Sequence, residues 1–191
     1  MKFIVFLCIL GVVFFLMILY KIYRNKYNPS CGEICGKTEE GIIFYSNRCN
    51  SHDKNIINYV NGYQTGESWQ CVEFVRRFLI ITKGITFDTV DNAYNIWDLA
   101  SFQSLDGVPI PIKNIKNIKN NHPQKGDILI WNQYVDHNRT GHVAIVTDVD
   151  RKGNIFIAEQ NFYNEGTDHN YSRVIRIEDD PTIIGWIRIL E

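Results

Sequence analysis

An excess of charge of either sign is almost absent from this chain. Its 191 residues carry a net charge of −1 at pH 7. No broad basic field is available to attract a nucleic acid backbone. Cysteine is scarce too, with five residues. Cys8 lies in an apolar run, Cys31, Cys35 and Cys49 cluster together, and Cys71 stands alone. Three clustered cysteines form at most one disulfide and leave one over, which excludes a disulfide-framework domain. Cys31 and Cys35 have no second ligand pair at zinc-finger spacing, so no structural zinc is expected.

A long charge-free run is present. Phe3 to Tyr20, FIVFLCILGVVFFLMILY, is uncharged over eighteen residues, within the span of about 17–25 residues that crosses a bilayer. It exceeds the usual signal-peptide core, and no small-residue cleavage site follows. The expectation is a single-pass membrane protein anchored through residues 3–20, with topology open. Residues 1–26 hold four cations and no acid, which leaves −5 of the whole-chain −1 to residues 27–191. The organisation read from this is an anchor over 1–26, a polar stalk over 27–40 and one catalytic-size domain over 41–191.

Within that domain helical signals come first. From Cys71 the apolar positions Val72, Val75, Phe78 and Leu79 follow helical spacing, and Gly84 supplies a stop. A second helix is expected over about Asp91 to Phe102. The Lys-Asn-Ile repeat in residues 109–123, with Pro109, Pro111 and Pro123, reads as a solvated surface loop. The last third is strand-like: 127–131, 142–149, 154–160, 173–177 and 183–189 are rich in β-branched residues. Asp150-Arg151-Lys152-Gly153 reads as a hairpin turn. Helices followed by antiparallel strands give an α+β domain, with helices packed on a curled sheet.

Cys71 opens the first helix. Unsatisfied backbone N–H groups and the positive end of the helix dipole favour a thiolate there, and can receive an oxyanion. Four of the five histidines, His52, His122, His137 and His169, lie in polar or proline-containing segments and read as surface. His142 differs, following Thr140-Gly141 and opening the apolar strand HVAIVTDV. Glu159 closes the neighbouring strand NIFIAEQ, where a carboxylate could orient the imidazole. An ideal hairpin would set His142 near Glu159 or Gln160, although register is open on spacing alone. Asn161 is an alternative orienter.

The ordered stretches GYQTGESWQCVEFVRRFL, GDILIW, TGHVAIVTDV, IAEQN and IIGWIRI resemble the motifs of CHAP-domain cysteine amidases. They most resemble the amidase half of bifunctional glutathionylspermidine synthetase/amidases. The resemblance runs from about Gly41 to Leu190 and implies a papain-like fold without metal or cofactor. It implies Cys71 as nucleophile, His142 as base and Glu159 as orienting carboxylate. It also sets Gln70 near the oxyanion, and Arg76 and Asn161 near the substrate; a surface salt bridge is the other reading of Arg76. The implied substrate is a small peptide or peptide–polyamine amide. A peptidoglycan cross-bridge and a non-catalytic peptide-binding module are the alternatives, and no nucleic acid partner is expected.

Overall fold

The computed structural model describes residues 2–50, 56–119, 121–133 and 139–190; the side chains of residues 2–8 and 25–26 lie outside the description. Helix α1 covers Lys2–Tyr27. Among the described residues, no helix is long and apolar enough to cross a membrane. The expected anchor over residues 3–20, and the single-pass localisation drawn from it, are corrected on that finding.

Strands β1 (Ile34–Lys37) and β2 (Ile43–Tyr45) pair as one antiparallel ribbon, and β3 (Ile57–Val60) and β4 (Tyr63–Glu67) as another. Regular structure thus begins inside the segment read as a polar stalk. Helix α2 then spans Cys71–Lys83, and Gly84 closes it at φ 64°, its N–H reaching the carbonyls of Ile80 and Leu79. This is the helix and the stop that the apolar spacing predicts.

The remaining strands are β5 (Ile85–Thr86), β6 (Ser101–Ser104), β7 (Pro109–Lys116), β8 (Ile128–Trp131), β9 (His142–Val149), β10 (Ile155–Ala158), β11 (Arg173–Ile175) and β12 (Ile183–Ile189). They form one eight-stranded sheet in the order β11-β10-β9-β8-β12-β7-β6-β5. Its described ladders are all antiparallel. The fold is α+β, as expected.

Two local expectations fail for identifiable reasons. Residues 91–102 form a six-residue 3-10 turn, Ala93–Asp98, followed by β6. The buried pair Ala93 and Ile96 is three apart, a spacing that a 3-10 turn serves as well as an α-helix. The 109–123 segment is no loop at its start, because β7 pairs with both β12 and β6. Its isoleucines Ile110, Ile112 and Ile115 pack on the core. Pro109 and Pro111 fall outside the Ile112–Lys116 stretch that pairs with β12, so that ladder needs no N–H from either.

The centre of the sheet, at β8 and β9, is buried on both faces. Ile128, Ile130, Val143 and Ile145 share a core cluster with Phe74, Val75 and Leu79 of α2. Their strand neighbours Leu129, Trp131, Ala144 and Val146 join Ile157, Ile183 and Trp186 in a second cluster. Double burial explains why these strands read as continuous apolar runs instead of alternating ones.

Candidate active site

Three elements meet where α2 and β9 both begin. Cys71 is the first residue of α2 and 7% exposed, His142 the first of β9 and 3% exposed, and Glu159 follows β10 at 1%. The N-cap residue Gln70 makes no side-chain capping bond. The first-turn N–H groups of α2 are therefore not closed off by the cap that usually serves them.

A bulge determines how His142 and Glu159 meet. Strands β9 and β10 pair as Ile155↔Val149 and Phe156↔Asp148, then shift to Ile157↔Val146 and Ala158↔Ile145. Carried one residue further, that register sets Glu159 beside Ala144. His142 and Ala144 share a face by strand alternation, so Glu159 lies on the face of His142. Without the shift Glu159 would oppose Ile145 and point to the other side. The register is therefore offset from the ideal hairpin, in which His142 itself faces Glu159 or Gln160. Contact is diagonal: His142 Nε2–H donates to Glu159 Oε2 at 2.8 Å.

With Nε2 engaged, Nδ1 remains for the Cys71 side chain, to which His142 also hydrogen-bonds. Burial alone would lower the proton affinity of His142. The Cys71 charge and hydrogen bond, and then those of Glu159, outweigh it and raise the pKa from 6.5 to about 9. Burial would likewise raise Glu159, but His142 and Arg173 hold it below the usual carboxylate range. Both shifts describe a buried imidazolium–carboxylate pair beside a thiol. Such a group supplies a nucleophile, a proton carrier and an orienting anion.

Gly141 sets the approach of β9. It adopts φ 65°, and a Cβ there would stand 2.6 Å from the Trp131 carbonyl oxygen and 2.9 Å from Tyr94 Cβ. Trp131 pairs with His142 across β8 and β9, its ring 5.3 Å from the imidazole. On the other side the Phe162 ring stands 5.3 Å from His142.

Of the six candidate residues, Gln70, Cys71, Arg76 and Asn161 line one cavity of about 410 Å³, with Gly66, Asp91 and Thr140. Asn161, at φ 63°, donates through Nδ2 to Gln70 Oε1. It does not orient His142; Glu159 has that contact. Among the described residues Arg76 has no salt-bridge partner at the surface. It is buried, with Nη1 donating to the Thr65 carbonyl at 2.8 Å, Nη2 to that of Asp88 at 3.2 Å, and its guanidinium over Phe87. His142 borders a second cavity, of about 750 Å³, whose walls include Trp131, Phe162, Arg173 and Asp180. The imidazole thus stands between two cavities, with the thiol in the smaller.

Exposed placement of His122 and His169 agrees with their reading as surface residues; His52 and His137 lie outside the described residues. Among the described residues, no group of three or more metal-ligating side chains gathers. Cys31 and Cys49 form a disulfide, while Cys35 and Cys71 are free.

Several buried residues around the site were given no role in the sequence reading. Glu73, fully buried on α2, accepts from Arg77 Nε at 2.7 Å, Gln160 Nε2 at 2.9 Å and Thr65 Oγ1 at 3.2 Å. Gln160 Nε2 also reaches the Gln70 carbonyl at 3.2 Å, and its Oε1 accepts from Tyr45 N–H at 3.0 Å. One amide thus ties β2, the end of β10 and the start of α2 together. The i,i+4 spacing of Glu73 and Arg77 was a signal that could have marked this pair. Nothing in the sequence pointed to Arg173.

A helix-borne thiol beside a strand-borne imidazole and carboxylate, on an antiparallel sheet, is the framework of a cysteine amidase/peptidase hydrolase. Comparison with known proteins gives the family. The CHAP domain model matches residues 58–161, and the chain belongs to the CHAP domain family. It is 30% identical over 180 residues to the bifunctional glutathionylspermidine synthetase/amidase of Escherichia coli (strain K12), over 82% of this chain. A glutathionylspermidine synthase of Crithidia fasciculata is 26% identical over 199 residues, over 87% of this chain. The chain spans 29% and 27% of the length of these two relatives. Among solved structures, the endolysin LysIME-EF1 aligns with a TM-score of 0.44 at 20% identity, covering 63% of this chain and 54% of the endolysin.

Proposed function

We propose that this chain hydrolyses amide bonds through a Cys71–His142–Glu159 triad, and that its substrate is a glutathionylspermidine-type amide, a γ-glutamyl tripeptide joined through its C-terminus to an amine. The observation that carries the mechanism is the buried contact of His142 with both Cys71 and Glu159. Similarity to the synthetase/amidases supports the substrate class. The proposed domain is residues 41–191.

In the first half-reaction the Cys71 thiolate attacks the amide carbonyl carbon, and the carbonyl oxygen takes the negative charge. First-turn N–H groups of α2 and the Gln70 side-chain amide, which share the thiol's cavity, receive that oxyanion. The intermediate collapses by breaking the C–N bond, and the His142 imidazolium gives its proton to the departing amine. Neutral His142 then takes a proton from water, whose hydroxide attacks the thioester. Acid is released and the thiolate restored. Glu159 holds the ring through Nε2–H throughout and stabilises its charged form. Arg76 and Asn161 shape the acyl side, Asn161 by holding Gln70.

Incubating the protein with glutathionylspermidine and, in parallel, with purified peptidoglycan, then resolving products by mass spectrometry, tests this reading. Release of spermidine and glutathione is expected. Release of wall fragments alone would replace the proposed substrate with a stem or bridge peptide. Cleavage of neither would leave the peptide-binding alternative.

A further inference from the structure

Glu159 has a second charged partner that the proposed reaction does not use. Arg173, the first residue of β11, donates through Nε to Glu159 Oε1 at 2.6 Å and through Nη2 to Oε2 at 3.3 Å. Its position follows from register. Arg173 pairs with Ile157 across β10 and β11, so it lies on the same sheet face as Glu159, one diagonal step away. The carboxylate is thus held between His142 on one neighbouring strand and Arg173 on the other. Aromatic rings fix the guanidinium as well, with Phe162 at 4.3 Å and Trp131 at 5.7 Å from ring centroid to charge centre. These two rings also flank His142.

We propose that Arg173 is a positioning residue of the hydrolytic site: it locks the Glu159 carboxylate in the orientation that receives His142 Nε2–H and moderates how tightly His142 holds its proton. This rests on the Cys71–His142–Glu159 reading above. The physical basis is competition for one buried anion. A guanidinium fork satisfies both carboxylate oxygens and shares their charge, so the imidazolium feels less than a full counter-charge. Without Arg173, deprotonating His142 would leave a buried carboxylate with no cation at all. The imidazolium would then keep its proton to higher pH and give it up less readily to a departing amine.

Other charges near the site do not duplicate this role. Arg176, Asp179 and Asp180 line the cavity that His142 borders. Arg176 is paired with Glu178, and Asp180 accepts from Trp131 Nε1 and Thr182. Arg76, Glu67 and Asp91 line the cavity of Cys71, and the Glu73–Arg77 pair lies behind Gln160. Among the described residues, His142 and Arg173 are the side chains that hydrogen-bond the Glu159 carboxylate.

The test uses the full chain with Arg173→Gln and Arg173→Lys. The alkylation rate of Cys71 by iodoacetamide is followed against pH, resolved by mass spectrometry of the Cys71 peptide because Cys35 is also free. This reads the thiolate–imidazolium pair without any substrate. In Arg173→Gln the upper inflection, where the imidazolium loses its proton, should rise by about one pH unit, a tenfold change in proton affinity. Turnover should fall at least about tenfold. Arg173→Lys, which keeps the charge without the fork, should hold the wild-type inflection and still lose turnover. An unshifted inflection in a folded Arg173→Gln protein overturns the proposal, as does a shifted one in Arg173→Lys. If wild-type Cys71 shows no pH-dependent labelling, the triad reading itself fails, separately from the role of Arg173.

Discussion

At the residue scale the site is governed by one proton. His142 has its pKa raised from 6.5 to about 9, against burial, by Cys71 and Glu159. A group whose proton affinity rises on folding contributes stability that is complete below its ordinary value and lost as pH climbs through the folded value. The His142 contribution is therefore full below about pH 6.5 and gone above about 9. Glu159 runs the other way, its contribution present above the usual carboxylate range and lost on acidification below it. Hydrolysis should follow, declining above about pH 9 as the proton needed by the leaving amine is lost. A kcat/KM profile between pH 5 and 10.5 checks this; a flat profile across the alkaline limb would remove His142 as proton donor.

At the element scale the helix start is held by a buried polar cluster instead of a cap. Glu73, Arg77 and Gln160 join α2 to β2 and to the end of β10. Removing Glu73 would leave Arg77, at 10% side-chain exposure, without its carboxylate. Glu73→Ala should cost about 3–5 kcal/mol, read from urea unfolding midpoints; a loss below ~1 kcal/mol would show the pair to be dispensable. Legibility from sequence is also decided at this scale. Helix α2 and strands β8, β9, β10 and β12 were readable because their apolar spacing is long and their punctuation clear. The 3-10 turn at 93–98 and strand β7 were not. A short run with apolar residues three apart fits two helix types, and prolines masked a strand whose partners lie far along the chain. The same limit applied to the site. Cys71 and His142 announced themselves by their positions at element starts, whereas the Glu159 contact depends on a one-residue bulge, and the Arg173 contact on a strand pairing that no local pattern encodes.

At the scale of the whole molecule, motifs scattered from Gly66 to Asn161 converge on one end of a sheet whose central strands are buried on both faces. Ordered motifs carried the family assignment; composition carried the expectation of an anchor, and among the described residues no helix is long and apolar enough to cross a membrane. The Cys31–Cys49 disulfide closes a loop with a sequence separation of 18 around β1 and β2. Asn47, two residues before Cys49, donates to Asn161, which in turn holds Gln70. Reduction should lower stability by about 3 kcal/mol on loop-entropy grounds, measured by denaturant titration with and without a thiol reductant. An unchanged midpoint would mean that this loop is already ordered in the unfolded chain.

The central claim is that Cys71 carries the chemistry. Its most direct measurement is the rate of glutathionylspermidine hydrolysis by Cys71→Ala beside the wild-type chain, with melting curves recorded for both. The account predicts a fall of at least about 1,000-fold at an essentially unchanged melting temperature. Wild-type-like turnover in that variant would contradict it.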